Sequence, residues 1–188
     1  QTIDRLGFPT WTDDGKRSFF QKDIAFKEKM NNLNPNGFYE TKMVVSGLLP
    51  KHAKEVSDNS NKCIKIITKG LMRTDKKFIN KVIFCIRHPC EVAESQTHLI
   101  NAISIANGSK WENIDNELSL DNYILELGRF IMHYKNNDFF RGKVLFMDYH
   151  DMLFNSSHSI KLVANFLNID NYEMDKVLSN ISSDLYRS

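Results

Sequence analysis

The stretch KVIFCIRHPCEVAESQTHL, residues 81–99, decides the fold of this chain. Its apolar run, residues 82–86, has no polar alternation, which is typical of a parallel strand covered on both faces. The run stops at Arg87, and Pro89 follows two residues later. From Glu91 onward, Val92, Ser95, Gln96 and Leu99 are three and four residues apart, as residues on one face of a helix are. The stretch therefore predicts a strand that leads directly into a helix, with Arg87 at the junction.

Strands and helices alternate along the rest of the chain. Further strands are predicted at 63–67 and 144–147, and helices at 16–31, 91–105, 120–134, 156–167 and 172–178. This alternation indicates an α/β protein with a mostly parallel sheet flanked by helices. A chain of 188 residues is long enough for one domain with a proper core, so residues 1–188 are expected to form a single domain.

Composition excludes several classes of protein. The net charge of +2 provides no broad basic field, so binding to nucleic acid is not expected. The three cysteines indicate reduced core thiols and favour a cytoplasmic protein. No apolar run approaches the roughly 20 residues that cross a bilayer. His, Cys, Asp and Glu show no metal-ligand spacing, and no metal is expected.

Arg87 is the first candidate for a binding residue. Parallel sheets bind ligands beyond the carboxyl ends of their strands, where Arg87 is predicted to lie. The start of the following helix offers unpaired N–H groups and a positive dipole end, and a guanidinium adds a two-pronged clamp for phosphate or sulfate. The alternative is a structural arginine that pairs with Glu91 or Glu94.

Beyond these physical arguments, several motifs resemble those of sulfotransferases. Residues 87–96, RHPCEVAESQ, resemble the segment that binds the 3′-phosphate of 3′-phosphoadenosine 5′-phosphosulfate (PAPS). In that motif an arginine and a serine eight positions later hold the phosphate, and Arg87 and Ser95 have this spacing. The stretches NPNGFYE (34–40), VLFMDYHDML (144–153), VANFL (163–167) and SDLYR (183–187) are similar to segments of small bacterial members. The resemblance touches most of residues 34–187.

The resemblance implies a fold, a reaction and a set of roles. The fold would be the three-layer type of the phosphate-loop NTPases. The reaction would move a sulfuryl group from PAPS to a hydroxyl or amine of a small molecule or carbohydrate, without a metal, and release adenosine 3′,5′-bisphosphate. Arg87 and Ser95 would bind PAPS. Lys69 stands where cytosolic members have their basic histidine, and Glu40 is the candidate base because other branches use a glutamate.

One family element is missing from the chain. No glycine-rich phosphosulfate loop occurs in the 188 residues, and by family order this loop and the strand before it are expected ahead of residue 1. The alternative is a non-catalytic binding or scaffold protein of the same fold that has lost the loop. A nucleotide kinase is disfavoured because the chain has no GxxxxGK[ST] segment. His150 and His158 are predicted to be surface residues.

Overall fold

The structure is a computed structural model, and it describes residues 6–7, 9–11, 41, 43–106, 116–179 and 181. The described residues contain seven α-helices and two strands, and each strand lies between helices in the chain. They are α1 (Ala53–Asp58), α2 (Thr68–Arg73), β1 (Val82–Ile86), α3 (Pro89–Ala106), α4 (Asn116–Lys135), β2 (Val144–Asp148), α5 (Tyr149–Phe154), α6 (Ser156–Leu167) and α7 (Met174–Leu178). Short 3₁₀ turns lie at Pro50–His52, Lys76–Phe78 and Asp138–Phe140.

The two strands pair in parallel, as the sequence predicts. Their register runs from Val82 opposite Val144 to Ile86 opposite Asp148, so both strands end at the same edge of the sheet. Two helices follow almost at once: α3 begins three residues after β1, and α5 begins directly after β2. The residues that follow the two strands are therefore neighbours.

Helices cover both faces of this small sheet. On one face, the ring of Phe130 in α4 stacks on Phe84 at 4.2 Å between centroids and meets the edge of Phe146 at 6.3 Å. On the other face, Ile83 and Leu145 pack against the core cluster that includes α6. The alternation of side chains along each strand produces this division, because successive residues point to opposite faces. A mixed chain with a small parallel sheet agrees with the predicted α/β class.

The predicted strand at 63–67 is wrong. Only Cys63 pairs, in an isolated parallel bridge with Thr10. The backbone N–H of Ile67 donates to the carbonyl of Val44, which belongs to a turn and offers no strand for a ladder. The β-branched composition favoured a strand, but a strand needs a partner along its whole length, and α2 begins at Thr68 instead.

The four predicted helices that lie within the described residues are confirmed, three of them with changed ends. Helix α3 begins at Pro89, two residues before the predicted start, because proline suits the first turn of a helix. Helix α6 begins at Ser156, as predicted, with Asn155 at its N-cap position. The predicted helix at 16–31 lies outside the described residues. Within the described ranges, no helix combines the length and the apolar character that a bilayer crossing requires.

The stacked aromatic core generates a stability prediction. Replacing the fully buried Phe130 by alanine should lower the free energy of unfolding by about 3–5 kcal/mol, because it leaves a cavity between α4 and the sheet. Met132 on the same helix is 59% exposed, so Met132→Ala should change it by less than about 0.5 kcal/mol. Urea unfolding of the two variants measures the difference, and equal losses would contradict the packing described above.

Candidate active site

Arg87 follows β1, and its side chain lies against the residue that follows β2. The last register pair of the sheet is Ile86 and Asp148, so Arg87 and Tyr149 come next on the two strands. The guanidinium carbon of Arg87 lies 4.9 Å from the centre of the Tyr149 ring. Such a cation over an aromatic face is held by the ring's negative surface. The hydroxyl of Tyr123, in α4, donates to the backbone carbonyl of Arg87 at 3.2 Å.

An ion pair joins Arg87 to the first turn of α3. Its Nε donates to Oε2 of Glu91 at 2.7 Å, and the two side chains are only 22% and 17% exposed. Glu91 is also well placed for the helix, because a carboxylate in the first turn interacts favourably with the positive dipole end. The structural partner that the sequence allowed for Arg87 is therefore present.

Ser95 lies on the same face of α3 as Glu91. Residues four apart in a helix are neighbours on one face, separated by about 6 Å along the axis. Ser95 is exposed, and its hydroxyl makes no hydrogen bond with the part of the chain that the structure describes. The structure thus places Arg87, Glu91 and Ser95 in a row along one side of the helix start, with a carboxylate between the two predicted phosphate ligands.

His150 also reaches this row of residues. Its Nε2 lies 2.9 Å from Oε1 of Glu91, and its side chain is 45% exposed. Asp148 fixes the start of α5, because its carboxylate accepts hydrogen bonds from the backbone N–H groups of His150 and Asp151. The sequence analysis predicted a surface position for His150 and did not predict its contact with Glu91. One signal could have found it: Tyr149 and His150 follow β2 as Arg87 and His88 follow β1.

Lys69 is exposed on α2. It makes no hydrogen bond or ion pair with any described residue. Glu40, the predicted base, lies outside the described residues. Thr41, Met43 and Val44 are buried, and the carbonyl of Val44 accepts the hydrogen bond from the N–H of Ile67, just before α2.

Helix α2 is attached closely to the turn before it. The buried hydroxyl of Thr74 accepts a hydrogen bond from the N–H of Leu48 and donates one to the carbonyl of Gly70. Gly47 has a φ of +75°, which glycine adopts without strain. At Gly70, an added Cβ would lie 2.5 Å from the carbonyl oxygen of Val44. Two glycines thus allow the backbones to touch, and this contact sets the position of the helix that carries Lys69.

The surroundings of the Cys85 thiol in β1 argue against its use as a nucleophile. Desolvation by the surrounding protein raises the pKa of the Cys85 thiol, even though part of this residue reaches the surface. A thiol with a raised pKa stays protonated and is a poor nucleophile. In the described ranges no group of three or more His, Cys, Asp or Glu residues could hold a metal ion.

A largely apolar groove of about 690 Å³ runs between α2 and the outer side of α4. Its walls include Met72, Ile124, Gly128 and Met132, and it contains none of Lys69, Arg87 and Ser95. The groove is therefore separate from the charged residues at the strand ends.

Comparison with known families finds one family model that covers more than half of the chain. The family model described as "Sulfotransferase domain" matches residues 50–188, and the chain belongs to this family of sulfuryl transferases. The match contains Lys69, Arg87 and Ser95, whereas Glu40 lies ahead of it. No curated protein and no solved structure matches the chain.

The two helical glycines generate a matched prediction. Gly70→Ala should destabilise the protein by about 1–3 kcal/mol, because its methyl group overlaps the Val44 carbonyl and forces α2 away. Gly128→Ala meets open space on α4 and should stabilise the protein by about 1 kcal/mol through helix propensity. Thermal unfolding of both variants measures the two effects. A neutral or stabilising Gly70→Ala would contradict the close approach of the two backbones.

Proposed function

We propose that this protein transfers a sulfuryl group from PAPS to a hydroxyl or amine of a small molecule or carbohydrate. The observation that carries the proposal is the alignment of Arg87, the start of α3 and the hydroxyl of Ser95 beyond the carboxyl end of a parallel strand. Membership of the sulfotransferase family supports the reaction class. The family motif, in which Ser95 follows Arg87 by eight positions, supports PAPS as the donor.

The 3′-phosphate of PAPS is the group that Arg87 and Ser95 would bind. Arginine carries five N–H donors in a fixed fork, and the ion pair with Glu91 engages its Nε edge. The start of α3 contributes unpaired backbone N–H groups and a positive dipole end. The Ser95 hydroxyl, one turn beyond Glu91, can donate to a further phosphate oxygen. The carboxylate of Glu91 repels a bound phosphate. The attraction of the phosphate to Arg87 and to the start of α3 must outweigh this repulsion.

The transfer step needs a cation and a base in addition to the phosphate site. We propose Lys69 for the cation and Glu40 for the base. The acceptor oxygen or nitrogen forms a bond to sulfur, the bond from sulfur to the bridging oxygen of the 5′-phosphate breaks, and Glu40 takes the acceptor's proton. Lys69 would balance the negative charge that grows on the bridging oxygen.

The proposal extends to the architecture of the whole chain. We propose that residues 1–188 form one domain of the three-layer type found in phosphate-loop NTPases. Its support is the helical cover on both faces of the parallel pair, from α4 on one side and from α6 on the other. In such folds the ligand lies across the carboxyl ends of the strands, where Arg87 and Tyr149 meet.

Calorimetric titration with adenosine 3′,5′-bisphosphate and adenosine 5′-monophosphate tests the phosphate site. The parent protein should bind the bisphosphate more tightly than the monophosphate. Arg87→Ala should reduce this ratio of affinities about 10- to 100-fold, because hydrogen bonds to charged groups contribute about 1.5–3 kcal/mol. Arg129→Ala is the matched control, since Arg129 forms an exposed pair with Glu126 on α4. An Arg87→Ala protein with unchanged selectivity would remove Arg87 from the site.

Ser95→Ala tests the second ligand separately. Loss of one hydroxyl donor to a charged oxygen should weaken bisphosphate binding about tenfold, with unchanged affinity for the monophosphate. Ser157→Ala, an exposed serine on α6, serves as the control. Equal affinities of Ser95→Ala and Ser157→Ala for the bisphosphate would argue that Ser95 is an ordinary helix residue.

The second candidate function is a binding module that does not transfer sulfuryl groups. The ion pair between Arg87 and Glu91 favours it, because it gives Arg87 a structural role. Incubation with PAPS and a panel of phenols, amines and sugars separates the two functions. If the protein is an enzyme, sulfated product forms. Lys69→Ala and Glu40→Gln should then slow product formation at least tenfold without loss of bisphosphate binding. The control, Lys161→Ala on α6, should leave the rate of product formation unchanged. Bisphosphate binding without any product would favour the module.

A further inference from the structure

The carboxylate of Glu91 is shared between two basic side chains from different parts of the fold. Oε2 accepts from Nε of Arg87 at 2.7 Å, and Oε1 lies 2.9 Å from Nε2 of His150. Arg87 follows β1, Glu91 belongs to α3, and His150 belongs to α5. The three side chains therefore form a chain of contacts that ties together the segments following both strands.

The position of His150 is itself constrained. Its backbone N–H donates to Oδ1 of Asp148 at 2.7 Å, which anchors the first turn of α5. Its ring lies 5.8 Å from the ring of Phe154, one turn further along the same helix. Contacts at the backbone and at the ring restrict the rotation of the His150 side chain. A restricted side chain loses less conformational entropy when it holds a hydrogen-bond partner than a freely rotating side chain does.

Glu91 needs such a fixed position if Arg87 is to bind an anion. The carboxylate of Glu91 lies between Arg87, just ahead of α3, and Ser95, further along α3. The orientation of this carboxylate therefore decides how much negative charge faces an arriving phosphate. A carboxylate is also able to turn and pair with both prongs of a guanidinium. A second basic partner on Oε1 opposes that rotation and draws the negative charge away from Arg87.

We propose that His150 is a positioning residue for the anion site: through Glu91 it orients the guanidinium of Arg87 toward the 3′-phosphate of the nucleotide. This inference rests on the proposed function, because it takes the nucleotide 3′-phosphate as the anion. It assigns to His150 a role that reaches the nucleotide only through Glu91 and Arg87. The role depends on a hydrogen bond from the side chain at position 150 to Oε1 of Glu91.

Three variants test the proposal by titration with adenosine 3′,5′-bisphosphate and adenosine 5′-monophosphate. His150→Ala removes the contact and should weaken bisphosphate binding about fivefold, while monophosphate binding stays within twofold of the parent. His150→Gln keeps an N–H donor of similar reach and should restore most of the affinity. His158→Ala, an exposed histidine on α6, is the matched control and should resemble the parent.

A double-mutant cycle separates positioning through Glu91 from a general effect on folding. In the Glu91→Gln background, His150→Ala should change bisphosphate affinity by less than twofold, because the carboxylate that His150 holds is gone. If His150→Ala and the parent bind the bisphosphate equally, the role of His150 is refuted and the phosphate site stands. An equal loss for both nucleotides, or an undiminished effect in the Glu91→Gln background, also refutes it. A parent protein that does not prefer the bisphosphate overturns the proposed function itself and this inference with it.

Discussion

The parallel register of β1 and β2 is the constraint on which the site depends. Pairing Ile86 with Asp148 brings the two strands to the same edge, so that the residue after one strand contacts the residue after the other. Arg87 then lies over Tyr149, and the first turns of α3 and α5 face the same space. A shift of one residue in this register would reverse the faces of the strand side chains, so the aromatic stack on α4 and the charged site are specified together.

The charges at this edge form a connected group. Glu91 favours the start of α3, pairs with Arg87 and contacts His150, so one carboxylate serves the helix and both basic side chains. Arg87 is half-buried at the junction, where an unpaired guanidinium would be costly. The same pair would hold the guanidinium ready for an anion in a sulfotransferase and would serve as a purely structural link in a binding module. The ion pair is compatible with both functions, and the formation of sulfated product distinguishes them.

Sequence reasoning succeeded where a local pattern and its tertiary environment agreed. The unbroken apolar run of β1 predicted a strand covered on both faces, and Phe130 on one side and the α6 core cluster on the other provide that cover. It failed at 63–67, where β-branched residues lie beside a turn and only Cys63 pairs. Propensity describes a single segment, whereas a strand exists only with a partner, and the partner is a property of the whole fold.

The sequence by itself determined the junction of β1 and α3, the candidacy of Arg87 and Ser95, and the resemblance that the sulfotransferase family match confirms. These features depend on neighbours along the chain, such as a proline after an arginine and an eight-residue spacing. Only the tertiary structure decided that Glu91 lies between Arg87 and His150, because residues 59 apart meet through strand pairing. Contacts of that range leave no period in the sequence, and their geometry follows from the packing of the sheet and its helices.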